Sequence, residues 1–148
     1  MKIYLDDIRT PIDPEWIVVR SYEEFIKKVE EIGLKNIEVV SLDHDLGDTA
    51  MKEYFKNVAP NYQLNYDNIK EKTGYDAAKW LVAYSIDFHE KLIEANDVLI
   101  YFTFPQVYTH SANPIGSANI MGYINNYLMN HHKPQSCVRV KIPHTVEK

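Results

Sequence analysis

The chain has 148 residues, of which 45% are hydrophobic and 25% charged. This length suits one domain over residues 1–148, and this composition excludes a disordered, collagen-like or low-complexity chain. A formal net charge of -5 disfavours general nucleic-acid binding, although a local site could still accept phosphate. The apolar runs are too short to span a membrane, and the single Cys137 allows no internal disulfide, so we expect a cytoplasmic protein without membrane contact.

The first part of the chain predicts three strands and one helix. The strands are Lys2–Leu5, Trp16–Arg20 and Ile37–Leu42. The helix begins after Ser21, a favourable N-cap with Glu24 three positions on, and ends at Gly33.

Regular periodicity fades at about residues 47–72, which predicts an irregular insertion with one helical turn over residues 51–56. The insertion carries four aromatic residues that either pack the loop or stack on a nucleobase. They are Tyr54, Phe55, Tyr62 and Tyr66.

Regular structure resumes at Thr73, which can cap a helix together with Asp76. Val98–Phe104 predicts a fourth strand, followed by a loop through His110. A helix over Pro114–Asn130, with Asn113 as N-cap, and a last strand over Cys137–Ile142 complete the pattern. Strands that alternate with helices predict an α/β fold with an open, mostly parallel, five-stranded sheet.

Three polar clusters follow predicted strands. They are Asp6, Asp7 and Arg9; Asp43, His44 and Asp45; and His110, Ser111 and Asn113. Because the carboxyl ends of parallel strands share one edge of a sheet, we expect the clusters to converge there.

The carboxylates of Asp6, Asp7, Asp43 and Asp45 are hard oxygen ligands, which suit Mg²⁺ or Mn²⁺. A lone Asp in a loop is more often a turn or cap residue. Several carboxylates at one edge repel each other unless a cation lies between them, which favours a metal site. Arg9 either clamps a phosphate group or neutralises Asp6 or Asp7.

His44 and His110 are candidates for general acid or base catalysis, because histidine titrates near neutral pH. The alternative is that each histidine has a structural role or is simply exposed to solvent.

The start of the helix at Pro114 is a candidate anion site, because backbone N–H groups and the positive helix end face any ligand there. Its polar residues are Ser111, Asn113, Gly116 and Asn119. We expect Gly116, in an exposed first turn, to permit close approach of a phosphate. The alternative is that Ser111 and Asn113 only cap the helix.

Four motifs together resemble the cyclic-phosphate processing receiver domain family, a diverged relative of response-regulator receiver domains. The motifs are Leu5–Pro11, Ser41–Gly47, Thr73–Asp76 and His110–Gly116 with Asn119, and the resemblance spans Lys2 to about Leu128. It implies a receiver-like, flavodoxin-like fold in which Asp6 and Asp7 bind Mg²⁺ and Asp43 is the reactive carboxylate.

The sequence departs from ordinary receivers at both ends. Only ten residues, Asp6–Glu15, separate the first two strands, too few for a helical crossover, and the six residues after Ile142 cannot form the last helix. We therefore expect the first and last helices to be missing and the exposed sheet face to be covered by the insertion or by a second subunit. Receivers place a Lys directly before Pro, whereas one residue separates Lys141 from Pro143 here.

These observations favour a metal-assisted phosphoesterase or binder acting on a small phosphate ester, such as a 2′,3′-cyclic phosphate or a cyclic nucleotide. The resemblance implies a role in RNA repair or a conflict system, with RNA ends as candidate partners and a homodimer as a candidate assembly. The alternative is a non-catalytic receiver-like module that accepts phosphate on Asp43 or only binds a ligand.

Overall fold

The computed structural model of the protein describes residues 1–95 and 104–145. Its five strands form one open sheet in the order β2-β1-β3-β4-β5, with every neighbouring pair parallel. The strands are β1 (Lys2–Leu5), β2 (Trp16–Val19), β3 (Val39–Leu42), β4 (Gln106–Thr109) and β5 (Val138–Arg139). The predicted open, parallel α/β sheet is therefore confirmed.

The helices lie between the strands. They are α1 (Tyr22–Ile32), α2 (Asp48–Glu53), α3 (Ala59–Asn61), α4 (Gly74–Glu94) and α5 (Pro114–Asn130), with a π-helical turn at Tyr54–Val58 and 3₁₀ turns at Leu34–Asn36 and Tyr66–Asn68. Among the residues described, none of these helices is both long and apolar enough to cross a lipid bilayer.

The predicted caps explain where the long helices begin. Oγ of Ser21 accepts from the N–H of Glu24 at 3.1 Å, and α1 ends at Gly33, whose φ of 87° suits glycine. Thr73 and Asp76 form the expected capping box of α4. The side chain of Asn113 caps α5.

The core lies on one face of the sheet. Ile3 and Leu5 of β1 and Val40 and Leu42 of β3 point to this face and are fully buried. Buried residues of α1, α4 and α5 pack against them in one cluster, which includes Phe25, Val29, Leu81, Ile120 and Ile124. Three helices thus form a layer on this face, and the sheet edge beyond it is left for polar side chains.

The prediction of a loop before His110 is wrong, because this part of the chain forms β4 at Gln106–Thr109, which pairs with β3. β4 alternates polar and apolar residues and is less apolar than Val98–Phe104, where the sequence predicted the fourth strand. Residues 98–103 of that predicted strand lie outside the described residues, and Phe104 precedes β4.

The connection from β1 to β2, residues 6–15, contains no helix, as predicted. The last strand is shorter than expected, because the chain leaves the sheet after Arg139 and runs back toward the loop after β1. There the N–H of Ile12 donates to the carbonyl of Pro143 at 2.9 Å, and that of Thr145 donates to the carbonyl of Thr10 at 2.9 Å. Segment 140–145 thus ties β5 to the β1 loop.

The insertion is more helical than predicted, since residues 48–61 are helical throughout. The buried carboxylate of Glu53 organises it by accepting from Nδ2 of Asn57 and Asn68 and from the N–H of Asn65. The insertion contacts the carboxyl edge of the sheet and the starts of α4 and α5, where Tyr66 stacks on Tyr75. A homodimer that covers the opposite face stays a prediction.

Candidate functional site at the carboxyl edge of the sheet

The ends of β1, β3 and β4 bring the predicted polar clusters together. Nε2 of His110, after β4, lies 3.1 Å from Oδ2 of Asp6, after β1. One carboxylate oxygen from each of Asp6, Asp7 and Asp43 lies within 4.8 Å of the others. Asp6 and Asp43 are buried. This acidic triad could bind a metal ion, and among the described residues Asp45 lies outside it.

The carboxylate of Asp6 accepts four hydrogen bonds. Its Oδ1 accepts from the N–H groups of Ile8 and Arg9 at 2.9 and 2.7 Å. Its Oδ2 accepts from Nε of Arg9 at 2.7 Å and from Nε2 of His110 at 3.1 Å. These four donors match the roughly four acceptor sites of a carboxylate, so Asp6 contributes charge more readily than a new metal–oxygen bond.

Arg9 lies between two carboxylates. It is only 7% exposed, its Nε is bonded to Asp6, and its Nη2 lies 3.3 Å from Oδ1 of Asp43. Nη2 is buried and makes no hydrogen bond with any described residue. Burial lowers the pKa of Arg9, but the carboxylates of Asp43 and Asp6 outweigh this effect and raise the pKa above its ordinary value. Arg9 is thus a permanent cation whose Nη2 is ion-paired with Asp43 but makes no hydrogen bond to any described residue.

His110 has a partner on each ring nitrogen. Nε2 faces the carboxylate of Asp6, and Nδ1 lies 2.7 Å from Oγ of Ser41. Because a carboxylate only accepts, Nε2 donates to Asp6, and Nδ1 shares a second hydrogen bond with the hydroxyl of Ser41. The ring of Tyr4 stacks on the imidazole with centroids 4.1 Å apart. These contacts fix the ring and favour a positioning role over direct proton transfer.

His44 is fully buried in a second network. Burial raises the pKa of Tyr66 to about 12, so its hydroxyl stays protonated and can donate to Nε2 of His44, 2.9 Å away. Nδ1 of His44 then carries the proton that faces Oδ1 of Asp45 at 2.7 Å. Nδ2 of Asn119 donates to the Tyr66 hydroxyl at 2.9 Å, which ties α5 to the insertion. Both ring nitrogens of His44 are therefore engaged, one by Asp45 and the other by Tyr66.

The start of α5 is closed by its own contacts. The N–H of Gly116 donates to Oδ1 of Asn113 at 2.9 Å, and the N–H of Asn113 donates to Oγ of Ser111 at 3.1 Å. A Cβ on Gly116 would lie 2.7 Å from Cδ2 and Nδ1 of His44. The expectation of an exposed Gly116 is wrong, because the residue is buried under the His44 ring. Asn119, likewise, is bonded to Tyr66.

Gly74, within the Thr73–Asp76 motif, packs directly against the backbone of Asp43 and His44. A Cβ on Gly74 would overlap the carbonyl of Asp43, and the N–H of Gly74 donates to the carbonyl of His44 at 2.9 Å. The start of α4 therefore supports the backbone that presents Asp43.

Two cavities open beside Arg9 and share Arg9, Ser111 and Ala112 as lining residues. The first, which we call the basic cleft, has a volume of about 630 Å³. It is lined by Arg9, His110, Arg139, Lys141 and His144 among others. The second, which we call the acidic pocket, has a volume of about 200 Å³. It is lined by Asp43, Asp45, Met51, Tyr54 and Phe55 among others.

Sequence reasoning missed Ser41 and Arg139 as site residues, and it named Tyr66 only as an aromatic residue that packs the insertion or stacks on a nucleobase. Ser41 lies inside β3 and Tyr66 inside the insertion, and both contact a histidine. Arg139 of β5 donates through Nε and Nη2 to the carbonyl of Ser111 at 3.1 and 2.9 Å. The signal for Ser41 was a single polar residue in an apolar strand, and no local signal pointed to Arg139.

An open parallel sheet in this strand order, with an acidic cluster at its carboxyl edge, defines a receiver-like α/β domain. Residues 1–126 match the family model of the cyclic-phosphate processing receiver domain, and the chain belongs to this family. It is therefore a receiver-like domain associated with cyclic-phosphate processing. Comparison with curated proteins and with solved structures gives no significant match.

Proposed function

We propose that the chain binds a small phosphate ester at the carboxyl edge of the sheet and hydrolyses it with the help of a divalent metal ion. The observation that carries this proposal is Arg9, whose buried Nη2 makes no hydrogen bond with any described residue and lies beside Asp43. A buried guanidinium nitrogen that has an ion-pair partner but no hydrogen bond keeps donor capacity that a ligand can use. A phosphate oxygen is an acceptor of the right charge.

The charge of the site supports a divalent cation as well. The three carboxylates of the triad and the guanidinium of Arg9, which contacts Asp6 and Asp43, together carry a formal charge of -2 when His110 is neutral. Mg²⁺ or Mn²⁺ fits this all-oxygen donor set. Asp7 and Asp43 would hold the ion directly, because the oxygens of Asp6 already accept four hydrogen bonds. Such an ion neutralises charge on a phosphoryl group and lowers the pKa of bound water.

The other residues of the site would bind the phosphate, position the carboxylates and form an apolar wall. Arg9 binds the phosphate, while His110 and His44 hold Asp6 and Asp45 in place. Tyr54 and Phe55 form an apolar wall of the acidic pocket, which suits a nucleobase. A nucleoside 2′,3′-cyclic phosphate combines these features in one small ligand.

The test is turnover of nucleoside 2′,3′-cyclic phosphates with Mg²⁺ or Mn²⁺ by the wild-type chain and by two variants. We expect Asp43→Asn to lose both metal binding and turnover. Asp13→Asn, an exposed change in the loop after β1, is the matched control and should keep both. Failure of the wild-type chain to bind any cyclic phosphate with either metal would overturn the proposal.

Acetyl-phosphate labelling tests the receiver-type alternative. Labelling that disappears in Asp43→Asn, without any turnover of cyclic phosphates, would favour a phospho-accepting module. The surroundings of Asp43 support this reading less, because the residue is 1% exposed and its Oδ1 accepts from the N–H of His44 at 2.9 Å.

A further inference from the structure

We infer that the basic cleft binds a second phosphate group of the same ligand. The ligand would then carry one phosphate beside the acidic triad and another between β4 and segment 140–145. This inference rests on the proposed function, because it assigns a second contact to the ligand of that site. The basic cleft is a separate cavity, and the acidic triad contributes no residue to its lining.

The lining of the basic cleft is strongly biased in charge. Arg9, Arg139 and Lys141 are cations, and His110 and His144 add two imidazoles. Within the described part of the chain, no Asp or Glu lines the cleft. This bias occurs in a chain with a net charge of -5, so the positive potential is local and suits an anionic group.

The wall that carries these cations is held in place before any ligand binds. Arg139 is fixed by its two hydrogen bonds to the carbonyl of Ser111. The next residue, Val140, donates its N–H to the carbonyl of Thr109 at 2.8 Å. A rigid wall loses little conformational entropy when a ligand binds, which favours affinity.

Lys141 is the cation best placed to meet an incoming anion. Its side chain is exposed at the cleft, and no carboxylate of the described residues lies within ion-pair distance of it. Arg9 connects the two cavities because it lines both. A ligand that reaches Arg9 from the acidic pocket can therefore extend a second phosphate toward Lys141.

Three probes separate the sources of a second phosphate. The first is a nucleoside 2′,3′-cyclic phosphate, the second is the same compound with a 5′-phosphate, and the third is a dinucleotide that ends in a 2′,3′-cyclic phosphate. We expect one or both of the larger probes to bind about tenfold more tightly than the first, as one charge-assisted contact allows. A terminal phosphate favours the second probe, and an internucleotide phosphate favours the third.

The variant Lys141→Gln should remove most of this gain and leave the affinity for the first probe unchanged. Lys35→Gln is the matched control, since Lys35 is exposed and precedes β3 at the opposite edge of the sheet. Equal affinity for all three probes in the wild-type chain would overturn the inference and leave the proposed function intact. A gain that survives in Lys141→Gln would overturn it too. If no probe binds the wild-type chain, both proposals fail.

Discussion

The imidazole Nε2 of His110 lies 3.1 Å from Oδ2 of Asp6, although 104 positions of sequence separate the two residues. The contact exists because β1 and β4 flank β3 in a parallel sheet and end at the same edge. Asp6 in turn binds Arg9, so one carboxylate joins a histidine and an arginine from different loops. His110 could therefore act either by positioning Asp6 or by transferring a proton to the leaving group. Metal affinity and turnover of His110 variants distinguish these two roles.

Replacement of His110 by Asn should weaken metal binding about tenfold, because Asp6, whose charge lies beside the ligands Asp7 and Asp43, loses a donor that holds it in place. His110→Gln can place an amide nitrogen near the position of Nε2 and should restore part of the affinity. Titration with Mn²⁺ measures the effect in each variant. If His110 instead transfers a proton to the leaving group, both variants would lose turnover while metal affinity stays unchanged.

A pair of glycine substitutions in α5 tests the packing of the start of that helix on His44. Gly116→Ala should destabilise the protein by about 1–3 kcal/mol, because the added methyl group overlaps a buried ring. Gly122→Ala should stabilise it by about 0.5–1 kcal/mol, since a Cβ there meets no atom within 4 Å. Urea unfolding reports both values. Equal stability of the two variants would show that His44 moves aside without cost.

The sequence predicted the acidic cluster for a topological reason. Asp6, Asp7 and Asp43 follow β1 and β3 directly, and parallel strands place such residues together whatever the details of packing. The capping signals at Ser21 and Thr73 also held, because capping depends on residues only three apart. Features that arise from local spacing or from strand direction were therefore predictable.

Features that arise from contacts between distant parts of the sequence could not be predicted. β4 is short and alternating, and only its register with β3 identifies it. Gly116 was expected to face a ligand, whereas its partner is the ring of His44, 72 positions away in the sequence. Tyr66 reaches the same ring from the insertion, where residue type alone favoured packing of the loop over stacking on a base and gave no specific partner.

The carboxylate of Glu53 should make the insertion sensitive to acid. Burial raises the pKa of Glu53, but hydrogen bonds from Asn65, Asn68 and Asn57 outweigh burial and hold the pKa below its ordinary value of 4.5. The unfolded chain therefore binds more protons in this range. The stabilisation is complete above pH 4.5 and is lost as the pH falls through the lowered pKa.

Glu53→Gln turns one acceptor oxygen into a donor and should cost about 1–3 kcal/mol at neutral pH. The variant should also lose this part of the acid dependence, which hydrogen exchange of residues 48–68 can measure. Glu90→Gln, an exposed change on α4, is the control. A variant that matches the control in both respects would show that the three donors find other partners.

The final prediction concerns Phe55, which is 63% exposed and contacts Tyr54 edge to face with ring centroids 5.1 Å apart. Met51, Tyr54 and Phe55 line one side of the acidic pocket because they lie three and four positions apart on one helical face. An exposed aromatic ring beside two carboxylates is a stacking surface for a nucleobase, worth about 1–3 kcal/mol per base. Phe55→Ala should therefore weaken binding of a nucleoside 2′,3′-cyclic phosphate about tenfold.

The same variant should bind abasic ribose 2′,3′-cyclic phosphate as the wild-type chain does, because that probe has no ring to stack. Tyr62→Ala is the matched control, since Tyr62 is 70% exposed in the same insertion and does not line the acidic pocket. Calorimetric titration of both variants with both probes gives the comparison. A loss of affinity for the abasic probe as large as for the nucleoside would mean that Phe55 shapes the phosphate site, and the ligand would then need no base.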